Sequence, residues 1–324
     1  MPTRRALTND RCRKERAQRS GRRLLSGWEE AAQRGNLIPS TAVRFGIVTD
    51  QNLPWQTLVE RWRLFEELGF DSAWDCDHFI QPSRPTGPYF EAWTLLAGLA
   101  AVTSRIRIGV LVTSNTFRHP ALLAKEAMTV DHISNGRLDL GFGAGWYEPE
   151  HPMFGLEFPE PKQLVGRFQE AVHILDQLLR NDTTTYQGTH YQLQEATMRP
   201  RPVQQPRPPF VLAAHKPKML RIVAEYAETW NSFGTVDEMR QRNAILDEQC
   251  HQIGRDPKQI VRSLYGWAAM MPSDPWESTQ AFQDMVGSYA EAGVNEFLID
   301  QPRPEQQAML ERIAADIVPS LKAR

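Results

Sequence analysis

From Val43 onward, short runs of apolar and β-branched residues alternate with longer stretches whose apolar positions repeat at helical spacing. Arg44–Thr49 reads as a strand. Trp55–Leu68 places Leu58, Trp62, Phe65 and Leu68 on one helical face, and Gly69 follows where helices commonly end in a left-handed residue. The same reading gives further strands at Ser72–Trp74, Ile106–Thr113, Arg137–Gly143, Phe210–Ala213, Thr229–Ser232, Ile260–Ala268 and Glu296–Ile299. Helices are predicted at Glu91–Thr103, Pro120–Ile133, Lys162–Leu179, Pro217–Glu225, Val236–Ile253, Glu277–Ala292 and Glu305–Leu321. Strict alternation of eight such pairs predicts a closed parallel (β/α)8 TIM barrel, although a doubly wound sheet alternates in the same way. Two excursions interrupt the rhythm and are expected to build a site: Gln81–Tyr89, rich in Pro and Gly, and Thr183–Pro209, whose TTTYQGTHYQL suggests a hairpin.

Composition changes this picture mainly at the N-terminus. The whole chain has 324 residues, 41% apolar composition and a formal net charge of −2, so no global charge points to nucleic acid. Residues 1–42 carry a net +6 and the remainder −8. The basic run through Arg4, Arg5, Arg11, Arg13, Lys14 and Arg22 could be an arm for anionic partners. Its poverty in aromatic residues favours a disordered extension, with a short helix at Leu24–Arg34 and the folded domain spanning 43–324. Cys12, Cys76 and Cys250 form no C-x-x-C pair, which fits a reducing cytoplasm and neither a disulfide framework nor a zinc ribbon. The longest apolar run, near Thr94–Val102, is too short to span a membrane, and no apolar segment of a secretory signal follows the basic residues.

Candidate chemistry gathers at the predicted C-terminal ends of strands, the catalytic rim of a barrel. Asp75-Cys76-Asp77-His78-Phe79 follows strand two, where a histidine can hydrogen-bond a cofactor ring or move a proton. Thr113-Ser114-Asn115-Thr116 follows strand three; these residues line a cofactor's polar edge or cap the helix beginning at Pro120, and taken alone the cap is favoured. LDLGFGAGW (138–146) runs a strand into a turn whose Gly141, Gly143 and Gly145 leave backbone N–H groups open. It is not a dinucleotide fingerprint, because Pro149 and Pro152 follow in place of a helix.

Together these segments resemble the luciferase-like monooxygenase superfamily, in particular its branch that uses coenzyme F420. The matching stretches are GFDSAWDCDHF (69–79), TSRIRIGVLVTSNTFRHPALLAKEAMTVDHISNGRLDLGFGAGWYEPEH (103–151), PRPPFVLAAHKPKMLRIVAEYAETWN (206–231) and EAGVNEFLID (291–300). The resemblance implies an oxidoreductase transferring a hydride between F420 and a small organic substrate, with Asp77 and His78 beside the cofactor ring and His78 as the catalytic residue. It implies a non-proline cis peptide near Leu111-Val112-Thr113, with Val112, Thr113, Ser114 and Asn115 backing the cofactor. Gly143, Ala144, Gly145 and Trp146 would line it, and Trp146 and Tyr147 would wall the substrate, with Trp93 either joining them or packing in the barrel shell. Where many relatives have Gly-Gly against the cofactor phosphate, this chain has Ala213-Ala214 followed by His215, which puts close backbone approach there in doubt.

The resemblance leaves open an FMN-dependent monooxygenase served by a partner reductase, and a ligand-binding protein without turnover. It also implies a homodimer through the helices after Gly87 and Arg118. A metal-dependent barrel hydrolase is disfavoured: strand one ends Val48-Thr49-Asp50-Gln51, and no two histidines stand as H-x-H, so no metal ligands are assigned.

Overall fold

The computed structural model describes residues 43–323. The expectations for residues 1–42 lie outside these described residues. Eight parallel strands close into a barrel: β1 (Arg44–Val48), β2 (Ser72–Asp75), β3 (Arg107–Val110), β5 (Leu138–Gly143), β8 (Phe210–Ala213), β9 (Thr229–Ser232), β10 (Val261–Gly266) and β11 (Glu296–Asp300). β1 pairs with β11, and β3 with β5, so the sheet has no free edge in its main body. The doubly wound alternative is thereby excluded.

Helices α1 (Trp55–Glu67), α2 (Ala92–Val102), α3 (Pro120–Ser134), α5 (Pro161–Arg180), α6 (Pro217–Tyr226), α7 (Val236–Gln252) and α8 (Thr279–Glu291) surround the barrel. Their starts follow from local chemistry. His119 caps α3 by accepting the Ala121 N–H ahead of Pro120, and Thr235 with Glu238 forms a capping box on α7. Thr113–Thr116 is therefore not the cap of α3.

Outward-facing Phe45 and Ile47 pack with Leu58, Trp62 and Phe65 of α1 in the shell between strands and helices. Each such large side chain contributes about 1.5–3 kcal/mol by leaving water. A second cluster, Val48, Trp74, Leu111, Val211 and Leu298, fills the lumen, with Cys76, Val112 and Tyr265 packed against it. This plug is the floor of the barrel mouth.

Three departures from the sequence reading bear on the site. The third strand is not continuous: β3 stops at Val110, the Leu111–Val112 peptide is cis, and β4 (Thr113–Ser114) rejoins the sheet beside Phe142 and Gly143. The apolar run hides the break because Leu111 and Val112 remain buried or half-buried within it. At the same level, a Cβ on Gly141 would lie 1.9 Å from the Val110 carbonyl oxygen, so β5 approaches β3 closely only because that position is glycine. The C-terminal helix is also broken, into α9 (Gln307–Arg312), a π turn at Ile313–Ile317 and α10 (Val318–Lys322); Pro319 has no N–H to continue the regular ladder.

The third departure separates the two excursions. Gln81–Tyr89 follows β2, whereas the hairpin β6 (Thr183–Gln187) and β7 (Gln192–Thr197) follows helix α5 and so leaves from the opposite end of the barrel. Its tip nevertheless runs back along α5, where the Glu170 carboxylate accepts from the Thr189, His190 and Tyr191 N–H groups. Tyr191 Oη then reaches Asn115 Oδ1 at 3.4 Å, beside the rim.

Candidate active site

The rim beyond β2 and β4 is held by a buried ion pair. Asp77 accepts from Arg118 Nη1 at 2.5 Å and Nη2 at 3.0 Å, and from the Ser114 N–H at 2.8 Å. Both side chains are buried, at 3% and 8% exposure, and Arg118 also reaches Glu91 and Glu126. Asp77 thus ties the end of strand two to the bulged end of strand three. Next to it, burial pushes the Asp75 carboxyl well above the usual carboxylate range, and the negative charges of Asp77 and Glu91 add to the effect.

His78 stands beside this tie. Its Nδ1 lies 2.7 Å from Glu150 Oε1, and Glu150 Oε2 accepts the Phe79 N–H at 2.7 Å. A carboxylate only accepts, so Nδ1 carries a proton and Nε2 is left as the nitrogen for exchange with a substrate. The ring meets Trp146 and Tyr147 edge-on, with centroids 5.8 and 5.9 Å away. Glu150 belongs to a short helix, α4 (Glu150–Met153), which the sequence reading did not assign. It is 1% exposed. The signal available in the sequence was an acid and a histidine between Pro149 and Pro152, directly after the glycine turn. His151 anchors the same segment: Nδ1 donates to the Tyr147 carbonyl, and Nε2 lies 2.7 Å from Thr116 Oγ1.

The opposite side of the bulge is lined by small residues. A Cβ on Gly143 would meet Val112 at 2.7 Å and Ala213 at 3.8 Å, so Val112 of the strand break, Gly143 and Ala213 lie against one another in a low, small-residue surface. Gly145 has φ +91°, and a Cβ there would press on Ser114 Oγ at 2.9 Å and on Thr116. Ala144 is half-buried, Asn115 is buried with Thr113 and Ser114, and Trp146 is 61% exposed. Thr113 Oγ1 accepts the indole N–H of Trp93, which is 4% exposed and packs in the shell rather than walling the mouth.

At the end of β8 the Ala214 N–H is directed to the Asn231 carbonyl at 3.3 Å, and the Ala214 carbonyl accepts from Trp230. His215 Nδ1 lies 2.9 Å from Ser232 Oγ; burial, with Arg242 and Lys216 nearby, lowers its pKa to about 4, so the ring is neutral at pH 7.

Across the mouth, residues outside the sequence prediction complete the rim. Tyr265 Oη donates to Asp300 Oδ1 at 2.8 Å, and Asp300 Oδ2 accepts the Ala268 N–H at 2.9 Å. Burial raises the Asp300 pKa to about 6. Tyr265 stacks on Trp267, which also contacts Trp146 and Phe233, giving an aromatic arc from His78 to His215. Tyr265 has no neighbouring sequence feature that marks it, and Asp300 ends the matching stretch EAGVNEFLID without a role assigned to it; only barrel closure brings β10 and β11 round to β1.

A cavity of about 360 Å³ opens at the other end of the barrel between Arg44, Asp71, Arg107 and Glu296. Its charges are matched, Arg44 with Glu296 at 2.6 Å, Arg107 with Asp139 at 2.6 Å and Lys322 with Asp71 at 2.7 Å. That end of a TIM barrel serves stability, and the cavity is not assigned to catalysis. Among the described residues, no group of three or more His, Cys, Asp or Glu is placed to hold a metal ion, and no helix is long and apolar enough to cross a membrane.

This arrangement can be set against known proteins. An F420-dependent glucose-6-phosphate dehydrogenase of Amycolatopsis mediterranei is 27% identical over 326 residues, covering 82% of this chain and 94% of the relative. One from Beutenbergia cavernae is 28% identical, covering 81% and 92%. An F420-dependent secondary alcohol dehydrogenase, solved in complex with an F420–acetone adduct, superposes with a TM-score of 0.76 at 19% identity over 86% of this chain and 99% of that one. At that identity the likeness is one of fold. The model of the luciferase-like monooxygenase family matches residues 38–315, and the chain belongs to that family.

Proposed function

We propose that the protein is an F420-dependent oxidoreductase, transferring a hydride between the cofactor and a small organic substrate. The observation that carries this reading is the asymmetry of the mouth: a low small-residue surface on one side, with His78 held by a buried carboxylate at its edge. A planar ring needs a low surface to lie against, and Gly143, Ala144, Gly145 and Ala213 supply it beside the Val112 side chain. Thr113, Ser114 and Asn115 back that surface, Asp77 fixes its geometry through Ser114, and Trp146 covers its outer side. The match to F420-dependent enzymes across about four-fifths of the chain supports the choice of cofactor.

Bound F420 supplies hydride chemistry at its deazaflavin carbon. The protein's part is proton handling and orientation. Glu150 holds His78 Nδ1–H, so Nε2 can take a proton from an alcohol or give one to a forming alkoxide. Ala213, Ala214 and His215 sit where the phosphate of the cofactor tail would be met. Alanine keeps its N–H, but the Ala214 N–H already faces Asn231, so the tail is held more by neighbouring groups than by this amide.

In the direction that reduces the substrate, a separate reductase would return the cofactor to its reduced form. A homodimer through α2 and α3 is the expected assembly, supported by the exposed Phe90, Leu122 and Ile133 on that side. The test is titration of the full-length protein with F420 and with FMN, read by tryptophan quenching. Tight F420 with weak FMN binding is expected. Tight FMN binding alone would instead make the protein an oxygen-using monooxygenase, and binding of neither would sink the enzymatic reading.

A further inference from the structure

The β10–β11 side of the mouth takes no part in the proton handling assigned to His78, yet it is built from large aromatic rings and a carboxylate. Trp267 touches three neighbours at centroid distances of 5.6 Å to Phe233, 6.2 Å to Trp146 and 6.3 Å to Tyr265. Trp146 keeps most of its surface in solvent beside Trp267, so the aromatic group presents an open face at the mouth. Asp300 lies at the top of the last barrel strand, pinned by Tyr265 and by the Ala268 N–H, with Asp50 beyond the end of β1 as its nearest charged influence.

The arginines nearest the mouth are already engaged, and Lys216, beside His215 on the far side of Trp267, is exposed. Arg118 serves Asp77, Glu91 and Glu126; Arg242 serves Glu238, Ser232 and the Phe233 carbonyl; Arg303 serves Asp274 and Glu305. Arg84 is exposed on the Gln81–Gly87 turn. Although the relatives above are named for a phosphorylated sugar, an anion seated against Tyr265 and Trp267 here would face the Asp300 carboxylate.

We infer that Tyr265, Trp267, Trp146 and Asp300 form a substrate subsite for uncharged or cationic ring-bearing molecules, and that it rejects phosphorylated or carboxylated ones. The inference deepens the proposed oxidoreductase function and rests on it for the word substrate. The aromatic faces supply apolar contact and attract cations, and the carboxylate sets the sign of charge admitted.

The experiment uses three probes of one shape, benzamidine, benzamide and benzoate, titrated into the full-length protein at pH 8 with and without saturating F420. Intrinsic tryptophan fluorescence is the readout, and Asp300 is ionised at that pH. Benzamidine and benzamide are expected to bind saturably, and benzoate more weakly by about tenfold or more, as expected for a like charge at a partly desolvated site. In Asp300→Asn the preference for benzamidine over benzoate should shrink several-fold while benzamide binding holds, which also shows that the variant is folded. Trp267→Ala should weaken benzamidine and benzamide together, and Arg84→Gln should leave the order unchanged.

Benzoate binding as tightly as benzamide, an unchanged ratio in Asp300→Asn, or no saturable binding of any probe overturns the inference. Turnover of glucose 6-phosphate also overturns it while leaving the F420 reading intact. Failure of F420 to bind removes the enzymatic reading, while the charge preference measured without cofactor stands as a separate result.

Discussion

Replacing Asp77 by Asn separates a structural role from a cofactor contact. The carboxylate accepts two bonds from Arg118 and one from the Ser114 N–H, all in a setting where both side chains are almost wholly out of water. Removing one partner of a buried pair typically costs about 3–5 kcal/mol, because the other charge stays desolvated. Two features reduce that here. Arg118 retains Glu91 at 3.2 Å and Glu126 at 3.4 Å, and the Asn carbonyl can still accept the Ser114 N–H. The expected loss is about 2–3 kcal/mol, a fall of about 3–5 °C in Tm for a domain of this size. The assay is thermal and urea unfolding of the cofactor-free protein, followed by tryptophan fluorescence and far-UV circular dichroism. Asp77→Asn should unfold earlier before any cofactor is added, and its F420 affinity should fall as well, since Ser114 sits in the bulge behind the small-residue surface. An unchanged Tm with a large loss of F420 affinity would refute the argument and make Asp77 a direct cofactor contact.

Other expectations follow from the same geometry. Glu150→Gln should keep F420 affinity within about threefold and lower kcat by about 10²-fold or more, since proton transfer by His78 loses its carboxylate; steady-state kinetics checks it, and unchanged kcat would separate His78 from catalysis. Gly145→Ala should weaken F420 binding at least about tenfold and cost about 1–3 kcal/mol of stability, because alanine is strained at φ +91° and presses on Ser114; unchanged affinity would free that turn from the cofactor. Asp300 has its pKa raised to about 6, so its contribution to stability is complete below the unfolded value near 3.8 and is lost as pH rises through 6. Asp300→Asn should therefore gain about 3 kcal/mol on the wild type between pH 4 and pH 8, measured by urea unfolding. His215, lowered to about 4, runs the other way: its contribution is present above 6.5 and is lost as pH falls through 4, so His215→Gln should flatten the acid limb of the same curves.

The alternation of strand and helix was legible in the sequence because it rests on local periodicity. Eight apolar strands between amphipathic helices have few ways to bury both surfaces, and β1 meeting β11 is the outcome that pattern favours. The position of the glycine turn at 141–145 and of the Asp77-His78 pair on the rim was legible for a related reason: standing at a strand's C-terminal end is itself a local property. The bulge at Leu111–Val112 was not visible in periodicity, since both residues continue the apolar run, and it entered only through family resemblance. Glu150 was missed because its importance comes from a contact 72 positions away in the chain, with His78. Tyr265 and Asp300 are likewise ordinary residues until closure of the barrel sets their side chains together. The sequence by itself determined which of the main segments become strands and which become helices, because those choices depend on near neighbours. Tertiary structure alone decided which rim residues share one mouth and how their protons and charges are held, because burial and electrostatic coupling depend on distance in space.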